Sequence, residues 1–300
     1  MRHYASKILL FGEHTINRGS QALAIPYPVF GGVWQCEHQP SAAQDLRPLL
    51  AHLEDLQAQN ALLCPLQLAA FRADLEAGWH FAANIPVGYG LGSSGALCAA
   101  IYERFCAHPI RPEETSRLGE LRQALAQIES FFHGSSSGVD PLICYLNQPL
   151  LIQPGGHIQI VKIPEGGPLV FFLLDTGMAR STGPLVQYFL QKCADPPFGN
   201  RVTRELAAYN DLAIAAFLQA EWEHLFADVS DISRFQLEEL PGMIPDHFQT
   251  VWQQGLQGNL YRLKLCGAGG GGFMLGCTMD WAQTQSVLSD FVLQKAYPLG

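Results

Sequence analysis

The sequence predicts a two-lobed α+β fold, and three observations carry that expectation. Its 300 residues exceed the length at which a single hydrophobic core usually stops growing. Strand-like and helical apolar runs are interspersed without the strict alternation that builds a doubly wound parallel sheet. The segment Pro164-Glu165-Gly166-Gly167-Pro168 is the most linker-like in the chain, so the lobes are expected at 1–166 and 167–300.

The elements follow in order. Lys7 to Phe11 has strand length and stops at Gly12-Glu13-His14, and Ala22 to Val33 is a second run broken by Pro26 and Pro28, so an opening antiparallel pair is expected. Gln39 to Ala77 carries leucines at mixed helical spacings, and Trp79 to Ile85 reads as a strand. Pro86 opens the loop Pro86-Val87-Gly88-Tyr89-Gly90-Leu91-Gly92-Ser93-Ser94, and Gly95 to Phe105 follows as a buried helix. A longer helix is expected over Glu113 to Phe132, then the run His133 to Pro141, whose three serines and two glycines predict irregular backbone. Strands are expected at Leu150 to Ile152, Ile158 to Ile163 and Leu169 to Leu174. Helices are expected at Pro184 to Lys192, Thr203 to Ala227 and Asp246 to Gln253. The end reads as strand Tyr261 to Leu265, the glycine run Gly267 to Gly272, strand Phe273 to Cys277 and a closing helix.

Composition narrows the function. Hydrophobic residues make up 48% and charged residues 15%, which leaves ample core and argues against disorder. A formal net charge of −9 repels a phosphate backbone, so nucleic acid is not expected as a partner and an anionic ligand needs a local site. The eight cysteines are dispersed with no Cys-x-x-Cys pair and read as reduced core thiols. Ile8 to Phe11 is too short for a signal segment, and no apolar run approaches the roughly 18 residues of a membrane span, so a cytoplasmic protein is expected.

Two glycine loops and three charged residues are the chemical candidates. Glycines at 88, 90 and 92 let backbone approach a ligand, and the helix that follows Ser93-Ser94 offers unpaired N–H groups and a partial positive charge, a cradle for phosphate. The plain alternative is a tight turn with a serine cap. The loop lacks the Gly-Lys-Ser/Thr end of a Walker A loop and the spacing of a dinucleotide site. Five glycines in Gly267 to Gly272 exceed what a hairpin turn needs, so close approach to a ligand is expected there, with a bulged connection as the alternative. Glu129 and Asp140 flank the Ser/Gly run and can converge on a Mg²⁺-phosphate complex; otherwise Asp140 is a turn residue before Pro141 and Glu129 a solvated helix position. Lys7 heads an apolar strand, where a surface lysine is the ordinary reading.

These residues, in order, resemble the GHMP kinases: Lys7 to His14, Pro86 to Ser94, Glu129 with His133 to Asp140, and Lys264 to Gly272. The resemblance is strongest to the mevalonate kinases of that family, and Asp175 to Thr182, with Arg180-Ser181-Thr182, extends it. It implies an N-lobe of the ribosomal protein S5 domain 2 type and a ferredoxin-like C-lobe, with ATP and substrate meeting between them. It implies that Gly88, Gly90, Leu91, Gly92, Ser93 and Ser94, with Gly269 and Gly270, bind ATP, and that Ser94 and Glu129 hold Mg²⁺. Asp140 would sit by the attacking hydroxyl with Lys7 beside it, and Glu13, His14, Thr182, Gly267 and Ala268 would line the substrate end. The implied reaction transfers the γ-phosphoryl group of ATP to a small alcohol, mevalonate first; phosphomevalonate, homoserine or a sugar are the other acceptors, and a non-catalytic binding protein is the rival class. A homodimer is compatible with it. Gly95 stands where the family commonly has alanine, and Leu97 where animal-type relatives have tyrosine.

Overall fold

The computed structural model describes residues 1–37, 44–179 and 182–298, with Thr182 described by its backbone alone. Packing divides the chain into two units, each discontinuous in sequence: Met1–Lys7, Pro26–Pro86 and Leu91–Gln148 form the first, and Ile8–Ile25, Val87–Gly90 and Pro149–Gly300 the second. The expected lobes were each continuous, so the segments 8–25, 87–90 and 149–166 are where a division by packing and one by chain order differ.

The first strand, β1, spans Tyr4–Phe11, and β2, Ala22–Cys36, is its neighbour in the sheet. Pro26 and Pro28 do not break β2. They lie between the stretches Ala22–Ala24 and Gly32–Cys36, each of which pairs with a further strand, and β2 runs through them without interruption. The expected helical region resolves into α1 (Arg47–Ala58) and α2 (Leu68–Glu76); its residues 39–43 lie outside the described residues. β3 (Trp79–Ala83) pairs antiparallel with the second half of β2, Gly32 facing Ala83 and Cys36 facing Trp79.

At the centre of the first unit is α3 (Ser93–Phe105), buried from Gly95 through Tyr102. Its small residues Gly95, Ala96, Ala99 and Ala100 let α4 (Leu118–His133) and α5 (Val139–Leu146) pack closely against it. On the sheet side Trp34 meets Phe71, Phe81 and Phe105 edge-on. The helix α5 corrects the expectation of irregular backbone through Pro141. Gly138 enters it with φ 72°, and Pro141 falls in the first turn, where no N–H is needed.

In the second unit β4 (Leu150–Ile152) pairs with Ala22–Ala24 of β2 and with β5 (Ile158–Ile160). A four-stranded antiparallel sheet is built around β6 (Val170–Asp175), whose run Val-Phe-Phe-Leu-Leu is buried throughout. The helices are α6 (Thr182–Cys193), α7 (Pro196–Arg201), α8 (Ala207–Leu218), α9 (Trp222–Glu239) and α10 (Asp246–Gly258), with a π-helical turn at Val202–Leu206. The remaining strands are β7 (Tyr261–Leu265) and β8 (Phe273–Thr278), then α11 (Trp281–Val287) and β9 (Leu293–Tyr297), giving the order β7-β8-β6-β9. One expected helix, Thr203 to Ala227, is in fact α8 and α9, separated at Ala220, which has φ 59°. The closing helix is followed by β9, whose Gln294 and Lys295 interrupt the apolar pattern that would mark a strand. Among the described residues no helix is long and apolar enough to cross a membrane.

Candidate active site

In the first unit a glycine lets a lysine reach a carboxylate. Lys7, on β1, donates its backbone N–H to the carbonyl of Leu91 at 3.0 Å, and its aliphatic stem crosses Gly92. A Cβ on Gly92 would lie 2.9 Å from Lys7 Cγ, and φ +76° independently favours glycine there. Lys7 is thereby buried along its stem, with Nζ 2.8 Å from Asp140 Oδ2; the side chains are 9% and 40% exposed. Asp140 stands in the first turn of α5, at the positive end of that helix.

Beside this pair, α3 begins at Ser93, and Ser94 Oγ donates to Glu129 Oε1 at 3.0 Å. Ser136 Oγ donates to the other oxygen, Oε2, at 2.5 Å, and accepts the N–H of Gly138 at 2.9 Å. His133 Nε2 is 3.2 Å from Ser94 Oγ. Burial, and next the negative charge of Asp140, push the Glu129 carboxyl above its usual range, while the two serine hydroxyls pull it back. Glu129 is thus a buried carboxylate held at both oxygens, and the solvated helix position is excluded as its setting.

Hard oxygen donors of this kind suit Mg²⁺, which binds through one or two carboxylates and takes its other ligands from water and phosphate. No group of three or more His, Cys, Asp or Glu side chains able to hold a metal occurs among the described residues. The first turn of α3 supplies N–H groups ahead of Ala96, whose own N–H is taken by the Gly92 carbonyl.

The second unit holds the other expected residues. Glu13 and His14 follow β1; His14 takes φ 72°, and its ring lies 4.7 Å from that of Phe189. Glu13 is buried and ion-paired with Lys264 Nζ of β7. Burial pushes the Glu13 carboxyl up, and the Lys264 charge opposes this. Gly88 and Gly90 flank Tyr89, whose ring packs 5.0 Å from that of Phe273.

The run Gly267 to Gly272 has a reason within the protein itself. A Cβ on Gly272 would come within 2.9 Å of Tyr89 Cα, its carbonyl accepts Thr176 Oγ1–H at 2.6 Å, and its N–H bonds Met178. Beside Gly269 a Cβ would meet the Met243 carbonyl, and beside Gly270 it would meet Leu185; Ala268 is buried. Thr182 opens α6, while Arg180 and Ser181 lie outside the described residues.

Sequence reasoning gave no role to Gln236, counted Ser136 only among loop serines able to complete a metal shell, and gave Lys264 only a place at the head of the Lys264 to Gly272 block. Ser136 was one of three adjacent serines, and Gln236, 1% exposed on α9, shows its involvement only through folding.

The model of the GHMP kinases N terminal domain family matches residues 60–148. A mevalonate kinase of Thermococcus gammatolerans is 26% identical, the match covering 90% of this chain and 86% of the relative. The crystal structure of L. major mevalonate kinase in complex with R-mevalonate superposes with TM-score 0.65 at 17% identity, over 96% of this chain and 89% of that one. Streptococcus pneumoniae phosphomevalonate kinase, in complex with phosphomevalonate and AMPPNP, superposes with TM-score 0.63 at 17% identity, over 98% and 99%. Structural likeness at these identities speaks for the shared fold and does not separate the acceptors named in those two structures. The family model lies on the segment that carries Ser94, Glu129 and Asp140, and over most of its length the chain is similar to mevalonate kinases, so the GHMP kinases are the family that this protein resembles.

Proposed function

We propose that the protein is an ATP-dependent kinase that transfers the γ-phosphoryl group to the hydroxyl of a small alcohol, with mevalonate as acceptor and 5-phosphomevalonate as product. The observation that carries this reading is the Lys7–Asp140 pair standing beside Ser94 and Glu129 at the start of α3. Phosphoryl transfer asks the protein mainly to position the reactants and balance charge on phosphate oxygens, and these are groups for that work.

In this reading Asp140 receives or orients the proton of the attacking hydroxyl. Lys7 keeps the carboxylate aimed and offsets negative charge that develops as the oxygen attacks. The N–H groups at the start of α3, with Leu91, Gly92, Ser93 and Ser94, hold phosphate oxygens, aided by Gly88, Gly90, Gly269 and Gly270. Ser94 and Glu129 would hold Mg²⁺, which, when bound, neutralises phosphate charge. Glu13, His14, Thr182, Gly267 and Ala268 serve the acceptor. Residues 1–166 and 167–300 are the N- and C-terminal lobes of this kinase. The eight free thiols fit work in the reducing cytoplasm.

The test is ADP release coupled to a spectrophotometric readout, with mevalonate, phosphomevalonate, homoserine and galactose offered separately. Turnover with mevalonate supports the reading. Turnover with a different acceptor retains the kinase and replaces the substrate, and ADP release with none of them rejects it.

A further inference from the structure

The buried carboxylate of Glu13 is held by residues from two distant parts of the chain. Lys264 comes from β7 and pairs with Glu13 Oε1, its side chain 2% exposed and that of Glu13 4%. The same ammonium donates to the Leu265 carbonyl at 3.0 Å and lies 5.7 Å from the centre of the Phe11 ring. Gln236, from α9, favours the charged form of the Glu13 carboxyl, and its Oε1 accepts the Leu265 N–H at 2.8 Å. Leu265 is therefore tied to Lys264 and to Gln236, and β7, α9 and the turn after β1 are linked through the Glu13–Lys264 pair.

Two features give this lock a chemical direction. Lys264 spends its charge on Glu13 and its next donor on a backbone carbonyl, so it is not placed to receive an anionic group from a ligand. Glu13 Oε2 is buried and has no hydrogen-bond partner among the described residues. A buried acceptor oxygen left in that state is costly, and a hydroxyl donor relieves it while a phosphate or carboxylate would be repelled.

We propose that Lys264 and Gln236 are positioning residues for the acceptor: Lys264 holds the Glu13 carboxylate directly and Gln236 supports it through Leu265, and with them the Glu13–His14 turn, so that Glu13 receives a neutral hydroxyl of the acceptor and turns away an anionic group. This rests on the reading of Glu13 as a residue of the acceptor end. Lys264 acts through Glu13 and touches no reacting atom.

The experiment compares wild type with Lys264→Gln, Lys264→Arg, Gln236→Leu and the double variant Glu13→Gln/Lys264→Gln, measuring KM for acceptor and for ATP, kcat and Tm on the full chain. Removing one member of a buried ion pair strands the other, so Lys264→Gln should lower Tm, whereas the double variant replaces the pair by two neutral groups and should recover it. The acceptor KM should rise about tenfold or more in both, the worth of one lost hydrogen bond to a charged group, with KM for ATP unchanged. Lys264→Arg keeps the charge and should restore the acceptor KM toward wild type; Gln236→Leu should raise it. A double variant that regains Tm and has the wild-type acceptor KM overturns this inference while leaving the kinase intact. So does a rise in both KM values together. Absence of acceptor-dependent ADP release from the wild-type protein overturns the kinase reading itself, and this inference with it.

Discussion

The Cβ that Gly95 lacks would fall 2.9 Å from the carbonyl carbon of Asp140 and 3.2 Å from its Cβ. The absence of a side chain on α3 thus sets how closely the first turn of α5 approaches, and with it where the Asp140 carboxylate stands. A methyl group at residue 95 has backbone on its far side, which cannot swing aside as a flexible side chain would.

Gly95→Ala should therefore destabilise the fold by about 1–3 kcal/mol, the usual cost of overpacking a tight contact, and lower kcat by displacing Asp140. Urea unfolding and steady-state kinetics on the same preparation check both parts. Equal stability and equal kcat would mean that α5 relaxes freely, and would remove Gly95 as the spacer.

Asp140→Asn keeps the size of the side chain and removes its charge and proton acceptor. A fall in kcat of about 10²–10⁴-fold is expected, with little change in ATP affinity. Lys7→Met should act in the same direction because the Asp140 carboxylate loses its partner. If Asp140→Asn turns over near the wild-type rate, Asp140 is only a helix-start residue.

For the Glu129 carboxylate, two variants separate the ligand from its support. Glu129→Gln should raise the Mg²⁺ concentration needed for half-maximal rate, and an unchanged requirement would take Glu129 out of the metal site. Ser136→Ala leaves Oε2 without its hydroxyl, at a cost of about 1–3 kcal/mol, so a lower Tm and a smaller rise in Mg²⁺ requirement should appear together.

A pH test comes from Asp228 on α9, whose carboxyl is pushed up by burial and by the neighbouring Asp231. Its proton is bound more tightly in the folded chain than in the unfolded one, so this group lowers stability as pH rises through the ordinary value of 3.8 and the raised folded value above it. Asp228→Asn should melt at a higher temperature than wild type at pH 7, and the advantage should close as pH falls to 3.8 and below. Calorimetry across pH reads this directly; an advantage that persists in acid would point to packing instead of charge.

Much of the architecture was legible where chemistry is local. The mixture of strands and helices, the buried helix after the glycine loop, and Lys7, Ser94, Glu129 and Asp140 as charged or hydroxyl groups near glycines can all be read from short stretches. The Ser/Gly run concealed the start of α5, because Gly138 and Pro141 mark a loop in sequence and a helix entry in space. The break between α8 and α9 was hidden for the opposite reason: Ala220 is a strong helix former that takes φ 59° in the turn closing α8, where its N–H bonds the Phe217 carbonyl and the Glu221 N–H bonds that of Ala216. The anchoring of Glu13 by Lys264 and Gln236 was out of reach, since residues that far apart carry no periodicity or spacing that pairs them. At glycines 269, 270 and 272 a protein neighbour forbids a side chain, a constraint that sequence alone does not distinguish from close approach to a ligand.

The pairing of Ala22, Leu23 and Ala24 with Ile152, Leu151 and Leu150 bears on how the chain is made. A ribosome delivers β2 early, yet the strand that completes this edge emerges only after the entire stretch that builds most of the first unit. At translation rates of about 5–20 residues per second, the nascent amino-terminal segment waits on the order of ten seconds for that partner. Through that interval an apolar strand edge stays open on the growing polypeptide, where a chaperone has the opportunity to cover it before its own β4 does.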